Sequence, residues 1–143
     1  MGLKNKSNQS GFTIVELLIV IVVIGILAAI TIVAYNGVQN RARTAEAQSN
    51  AKEAVNKSEV YAVDNNSTYP TATQLKAQTG TAATLSAKVN GLLGTAAPTS
   101  SAKTVVQLLT CTGGGVKAVY WNYVDGTTVT IDTGVTTGTC TAS

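Results

Sequence analysis

"GFTIVELLIVIVVIGILAAITIVA", Gly11 to Ala34, holds one charged residue, Glu16, among side chains that are otherwise apolar, small or, at Thr13 and Thr31, hydroxylic. From Leu17 to Ala34 no charge interrupts the run. As a helix, Phe12 to Ala34 would measure about 35 Å, enough to cross the hydrocarbon core of a bilayer with some tilt. An acidic side chain inside such a span costs about 2.5–3.5 kcal/mol on insertion scales, so Glu16 demands a partner. Lys4 and Lys6 precede the run with no acid among the first ten residues. A positive flank of this kind stays cytoplasmic and orients the span. The run is longer than the apolar core of an ordinary secretory signal, about 7–15 residues, and no clear small-x-small cleavage site follows it.

Composition bounds the remainder. Once the apolar run is set aside, the 143 residues leave room for one soluble domain of about 80–110 residues. Charged residues are 12% and aromatics 5% of the chain, with Thr, Ser, Gly, Ala and Asn crowding the part after Tyr69. That surface suits an exported protein. There is no His, and the two cysteines, Cys111 and Cys140, offer neither zinc-finger spacing nor a Cys-His nucleophile pair. An even cysteine count in an exported chain favours a Cys111–Cys140 disulfide. No nucleophile, base and orienting group can be assembled, and there is no phosphate loop, so the chain reads as no enzyme, with no cofactor and no metal. The formal net charge is +3, but without Lys4 and Lys6 eight basic side chains face seven acidic ones. Nucleic acid as a partner is therefore unsupported.

The helix should run on past the membrane. Tyr35 to Asp64 has no Pro and is rich in Ala, Lys, Glu, Arg and Gln. Ala47, Ala51, Ala54, Val55, Ser58, Tyr61 and Ala62 fall at three- and four-residue spacing and predict a core-facing stripe. Arg41 and Arg43 read as a solvated collar. "DNNSTYP", Asp64 to Pro70, ends the helix. A helix from Phe12 to Asp64 would be about 80 Å long, far more than a domain of this size needs, and the excess argues for assembly. Asn65 and Asn66 each open an N-x-[ST] sequon, which chance explains better than modification does. Two short helices are expected at Thr73–Gln78 and Ala82–Leu93. Thr104–Cys111, Val116–Val124 and Thr127–Thr133 read as three antiparallel strands, with Asp125-Gly126 as the hairpin signal between the last two. Val119, Trp121 and Tyr123, with Val129 and Ile131, are expected to form the face that lies on the Ala-rich stripe. The residues after Thr133 suffice to carry Cys140 back to Cys111.

"GFTIVELLIVIVVIGILAAI" resembles the class III signal of type IV pilins and pseudopilins, residue by residue from Gly11 to Tyr35, whereas the later domain resembles them only in general terms. The resemblance implies an α+β, pilin-like fold, a long N-terminal α-helix, half membrane-spanning and half amphipathic, packed on a small antiparallel β-sheet. It divides the chain into a cleaved leader, 1–11, a transmembrane and assembly helix, 12–34, and an extracellular globular domain, 35–143, that includes the second half of the helix. It implies cleavage after Gly11 by a prepilin peptidase, N-methylation of Phe12, and pairing of Glu16 with the new amine of a neighbouring subunit. The expected partners are further copies in a helical filament, the peptidase, the pilus assembly machinery of the inner membrane, and membrane lipid before assembly. The implied product is a bacterial surface pilus for attachment, twitching motility or DNA uptake. A pseudopilin of a type II secretion system and a membrane-tethered adhesion module are the alternatives. A C-terminal loop closed by a disulfide also follows from the resemblance. Many family members carry Pro where this chain has Val33, so the helix is predicted to be continuous there.

Overall fold

The computed structural model describes residues 11–101, 105–133 and 136–143. The leader residues Met1–Ser10, with Lys4 and Lys6, and the expected first-strand residue Thr104 lie outside the described residues. The chain forms two compact units, one ending at Gly37 and the other running from Val38 to Ser143.

Helix α1 spans Ile14–Asp64 without a break. Nothing in its sequence opposes this, because the chain has no Pro before Pro70 and Gly25 alone interrupts the apolar run, at a cost of about 1 kcal/mol relative to Ala. In the first unit the apolar side chains from Phe12, just ahead of the helix, to Val33 are exposed, Phe12 at 87% and Val33 at 76%. Among the described residues this is the one helix long and apolar enough to cross a membrane, with a mean hydropathy of 3.3 over its most apolar window.

In the second unit the stripe is in the core as expected. Ala47, Ala51, Ala54, Val55, Ser58 and Ala62 are buried and Tyr61 packs against them half-buried. Ser58 donates its hydroxyl to the Ala54 carbonyl at 2.8 Å, which makes its burial affordable in a helix interior. Asn50 is buried on the same stripe, at a position its spacing fits but its polarity kept out of the expected set, and its Nδ2 has no partner among the described residues. The helix ends where Asn66 and Ser67 take positive φ, 53° and 62°, and the Ser67 N–H returns to the Ala62 carbonyl at 2.8 Å.

The two short helices are shorter than expected. α2 is Ala72–Lys76, opened by a capping box in which Thr71 and Gln74 exchange side-chain and backbone bonds. α3 is Ala87–Leu92, starting only after Ser86 caps it, so the expected helical residues Ala82–Leu85 are turn and irregular chain instead. The Glu53 carboxylate holds Ser86 by its N–H at 2.6 Å and its hydroxyl at 3.1 Å, fixing that start against α1.

The three expected strands are present as β2 (Val106–Cys111), β3 (Val116–Asn122) and β4 (Thr127–Asp132), antiparallel in sequence order. Two more complete the sheet. β1 (Leu93–Gly94) pairs parallel with the first half of β2, and β5 (Cys140–Ala142) pairs antiparallel with its second half, on the same side. The sheet is therefore mixed.

The expected face assignment is corrected on β3. The residues that face the helix are Val116, Ala118 and Tyr120, all buried, while Val119 and Trp121 lie on the opposite face. Val129 and Ile131 of β4 do lie on the inner face, opposite Tyr120 and Ala118. The reason is Lys117, which shares the face of Val119 and Trp121 and would be costly to bury, whereas Ala118 lets an Ala-lined helix approach closely. Burial pushes the Tyr120 hydroxyl pKa above its ordinary value.

Candidate functional site

The residues from Gly11 to Glu16 form the start of α1, and their geometry follows from a local sequence rule. Thr13 stands just before the first helical residue. Its Oγ1 accepts the Glu16 backbone N–H at 3.3 Å, while the Glu16 Oε2 accepts both the Thr13 N–H and the Thr13 hydroxyl, each at 2.8 Å. Thr13-Ile14-Val15-Glu16 is thus a reciprocal capping box, satisfying N–H groups that a helix start leaves unpaired. The sequence reading assigned Glu16 to an intermolecular partner and missed this bond within the chain. Its signal, Thr followed three residues later by Glu ahead of an apolar run, was legible. The positive end of the helix dipole adds to the attraction for the carboxylate.

Gly11 and Phe12 precede the helix in non-helical conformation and are exposed. A Cβ added at Gly11 would meet nothing within 4 Å. The fold itself makes no demand for glycine there, so a requirement for it would come from whatever binds the Gly11–Phe12 bond. Leu17, Ile19 and Val20 continue the apolar surface directly beyond Glu16, and no other element of the first unit covers it among the described residues.

A second feature is the C-terminal disulfide. Cys111 and Cys140 are bonded, and they face each other directly across the β2–β5 pair. The tail reaches this register by crossing the β2–β3 turn at close range. Gly113 donates its N–H to the Thr137 carbonyl at 3.0 Å and accepts the Thr137 hydroxyl at 2.8 Å, and a Cβ at Gly113 would collide with the Thr137 backbone. Tail closure is therefore a strand and not a loop merely reaching back from β4.

Near the start of the second unit, Thr44 ties α1 to the β3–β4 turn. Its Oγ1 accepts the Tyr123 N–H at 3.0 Å and lies 3.2 Å from Asn122 Oδ1. Arg43 is exposed and sits over the Tyr123 ring at 5.8 Å, while Arg41 is exposed as well. Among the described residues no group of His, Cys, Asp or Glu side chains is arranged to hold a metal ion.

Residues 6–32 match the family model for the prokaryotic N-terminal methylation motif. A type IV major fimbrial protein of Dichelobacter nodosus is 56% identical over 41 residues, 29% of this chain and 26% of that protein. The type II secretion system core protein G of Aeromonas hydrophila is 39% identical over 69 residues, 48% of each chain. The type IV wide pilus major component of Thermus thermophilus is 43% identical over 60 residues, 42% of this chain and 46% of that protein. The matched segment spans about a quarter of the fimbrial protein and just under half of the other two. No solved structure matches the chain.

Proposed function

We propose that this chain, whose N-terminal segment is that of the type IV pilin and pseudopilin family, is the structural subunit of a type IV pilus. A prepilin peptidase cuts after Gly11 and methylates the Phe12 amine, and the subunit then waits in the membrane with its N-terminus on the cytoplasmic side. The assembly machinery of the inner membrane draws subunits into a helical filament at the cell surface. One observation carries this reading: an exposed apolar helix that begins at a carboxylate. Phe12 to Val33 leave their side chains uncovered, which lipid or a bundle of like helices would cover, and Glu16 stands in the first turn of that surface.

The chemistry of assembly follows. Cleavage creates an ammonium on Phe12 beside an apolar surface, and Glu16 of a neighbouring copy is the group that neutralises it. Each charge is costly alone in a low dielectric and compensated when paired, so pairing favours addition in register. No catalytic step is asked of the chain. A pseudopilin of a type II secretion system is the second reading, favoured by the longer alignment with core protein G. The disulfide-closed tail favours the pilin.

The test has two parts. Mass spectrometry of the mature protein should find a chain beginning at methylated Phe12, and purified surface fibres should contain it. Glu16→Ala should leave the membrane-held subunit abundant while cutting fibre yield by at least about tenfold, the effect of roughly 1.4 kcal/mol per added subunit. A mature N-terminus beyond Ala28, or normal polymerisation of the Glu16→Ala chain, overturns the reading.

A further inference from the structure

Among the described residues the sheet is finished on one side and bare on the other. On the outer side of β2, β1 and β5 together cover the edge. β4 pairs with β3 alone among the described residues, over six positions in unbroken register from Asn122↔Thr127 to Lys117↔Asp132. The Thr133 N–H bonds to the Val116 carbonyl at 3.1 Å, which sets the alternation of the antiparallel ladder. Ile131, Val129 and Thr127 then turn their backbone groups to β3, and Thr128, Thr130 and Asp132 turn theirs outward. Thr127, Thr128, Thr130 and Asp132 are exposed.

Edges of this kind are usually protected by Lys, Pro, a bulge or a cover. "TTVTID" has no Lys, no Pro and no bulge, and its residues are β-branched except for Asp132. It is also complementary to itself. If two copies meet antiparallel about a two-fold axis at Thr130, each Thr128 lies opposite the partner's Asp132, a hydroxyl against a carboxylate. Val129 then lies opposite the partner's Ile131 on the inner face, apolar against apolar. No like charges meet, and Thr128, Thr130 and Asp132 of each chain find partners for their outward N–H and C=O groups.

We propose that β4 is a pairing edge whose occupant is β4 of a second copy of this chain. Subunits of one helical filament share a polarity and are not related by such a two-fold axis. The contact therefore joins subunits of separate assemblies, a lateral link between fibres. The pairing itself does not depend on fibre formation, because it needs only two folded chains.

The test uses the full-length chain in detergent, so its outcome is separate from that of the filament reading. In an antiparallel hydrogen-bonded pair the two Cα atoms at Thr130 are about 5.5 Å apart, within reach of a disulfide, whereas the two Thr128 positions are displaced by about 13 Å along the strands. Both native cysteines are already bonded to each other. Mild oxidation of Thr130→Cys should give a covalent dimer at a yield roughly tenfold above that of Thr128→Cys, with the fall-off set by distance. Thr130→Lys, which sets two ammonium groups face to face at the axis, should lower the dimer fraction in sedimentation, and Thr130→Val should preserve it. Equal cross-linking at the two positions, a stronger dimer from Thr128→Cys, or a dimer fraction unmoved by Thr130→Lys overturns the proposal.

Discussion

At Glu16 two partners compete for one carboxylate. Within the chain, Thr13 supplies two donors at 2.8 Å, and the proposed assembly step offers an amine from a neighbour. The capping box makes the waiting state tolerable, because a carboxylate that accepts two hydrogen bonds is cheaper to hold at the edge of lipid than a bare one. Thr13 is then a positioning residue, and its role can be read without assembly. Thr13→Val keeps the shape but loses the hydroxyl, at a cost of about 1 kcal/mol for a lost N-cap. Hydrogen exchange in detergent should show the amide of Glu16, which the Thr13 hydroxyl accepts, losing protection by roughly fivefold, the equivalent of that energy. Thr13→Ser should restore it. Unchanged protection in Thr13→Val would mean that the box does not persist outside this geometry.

α1 shows why a sequence departure at one position matters to an element. With Val33 in place of a Pro, no amide donor is missing and no ring strikes the preceding turn, and the helix runs unbroken through this interval. Thr31 adds no defect, since its hydroxyl returns to the Ala28 carbonyl at 2.9 Å. Lipid reinforces continuity, because a backbone group opened there finds no water. Amides from Gly25 to Gly37 should therefore be protected together in detergent. Val33→Pro should remove that protection locally around residues 29–33, with a destabilisation of about 3 kcal/mol or more for the helix interior. A parent chain already unprotected across this interval would show that the helix parts without any Pro. The sheet teaches a related lesson about elements. Alternation along β3 defines two faces equally well, and bulk pointed to Val119 and Trp121, but Lys117 on that face and Ala118 on the other decided the outcome.

For the molecule as a whole, the tail is the last piece to be held. β5 has three residues, and its register depends on the Cys111–Cys140 bond and on the tight crossing of Gly113 over Thr137. The bond closes a loop with a sequence separation of 29, and chain-entropy reasoning assigns such a cross-link on the order of 3 kcal/mol, a sizeable share of a small domain's stability. Reduction should therefore lower the denaturation midpoint of the globular part and expose residues 136–143 to proteolysis first. The β2–β3–β4 ladder should keep its amide protection under mild conditions, because its core contacts to α1 are untouched. Simultaneous loss of protection in all strands would show that the bond holds the whole sheet and not the tail alone.

The sequence by itself determined what depends on neighbours a few positions apart. The helix, expected from Phe12 and observed from Ile14 to Asp64, is written in a Pro-free, apolar and then Ala-rich stretch, and the stripe from Ala47 to Ala62 is written in its spacing. The strands and the Asp125-Gly126 turn are written in β-branched residues and turn chemistry. The capping box at Thr13 and Glu16 was equally local, and was passed over because the charge was read only against the membrane. The tertiary structure decided what depends on distant pieces. Which face of β3 meets the helix was set by the cost of burying Lys117 against the close fit of Ala118. That Leu93–Gly94 and Cys140–Ala142 share one edge of β2 follows from backbone groups there needing partners that only chain segments far away in sequence can supply.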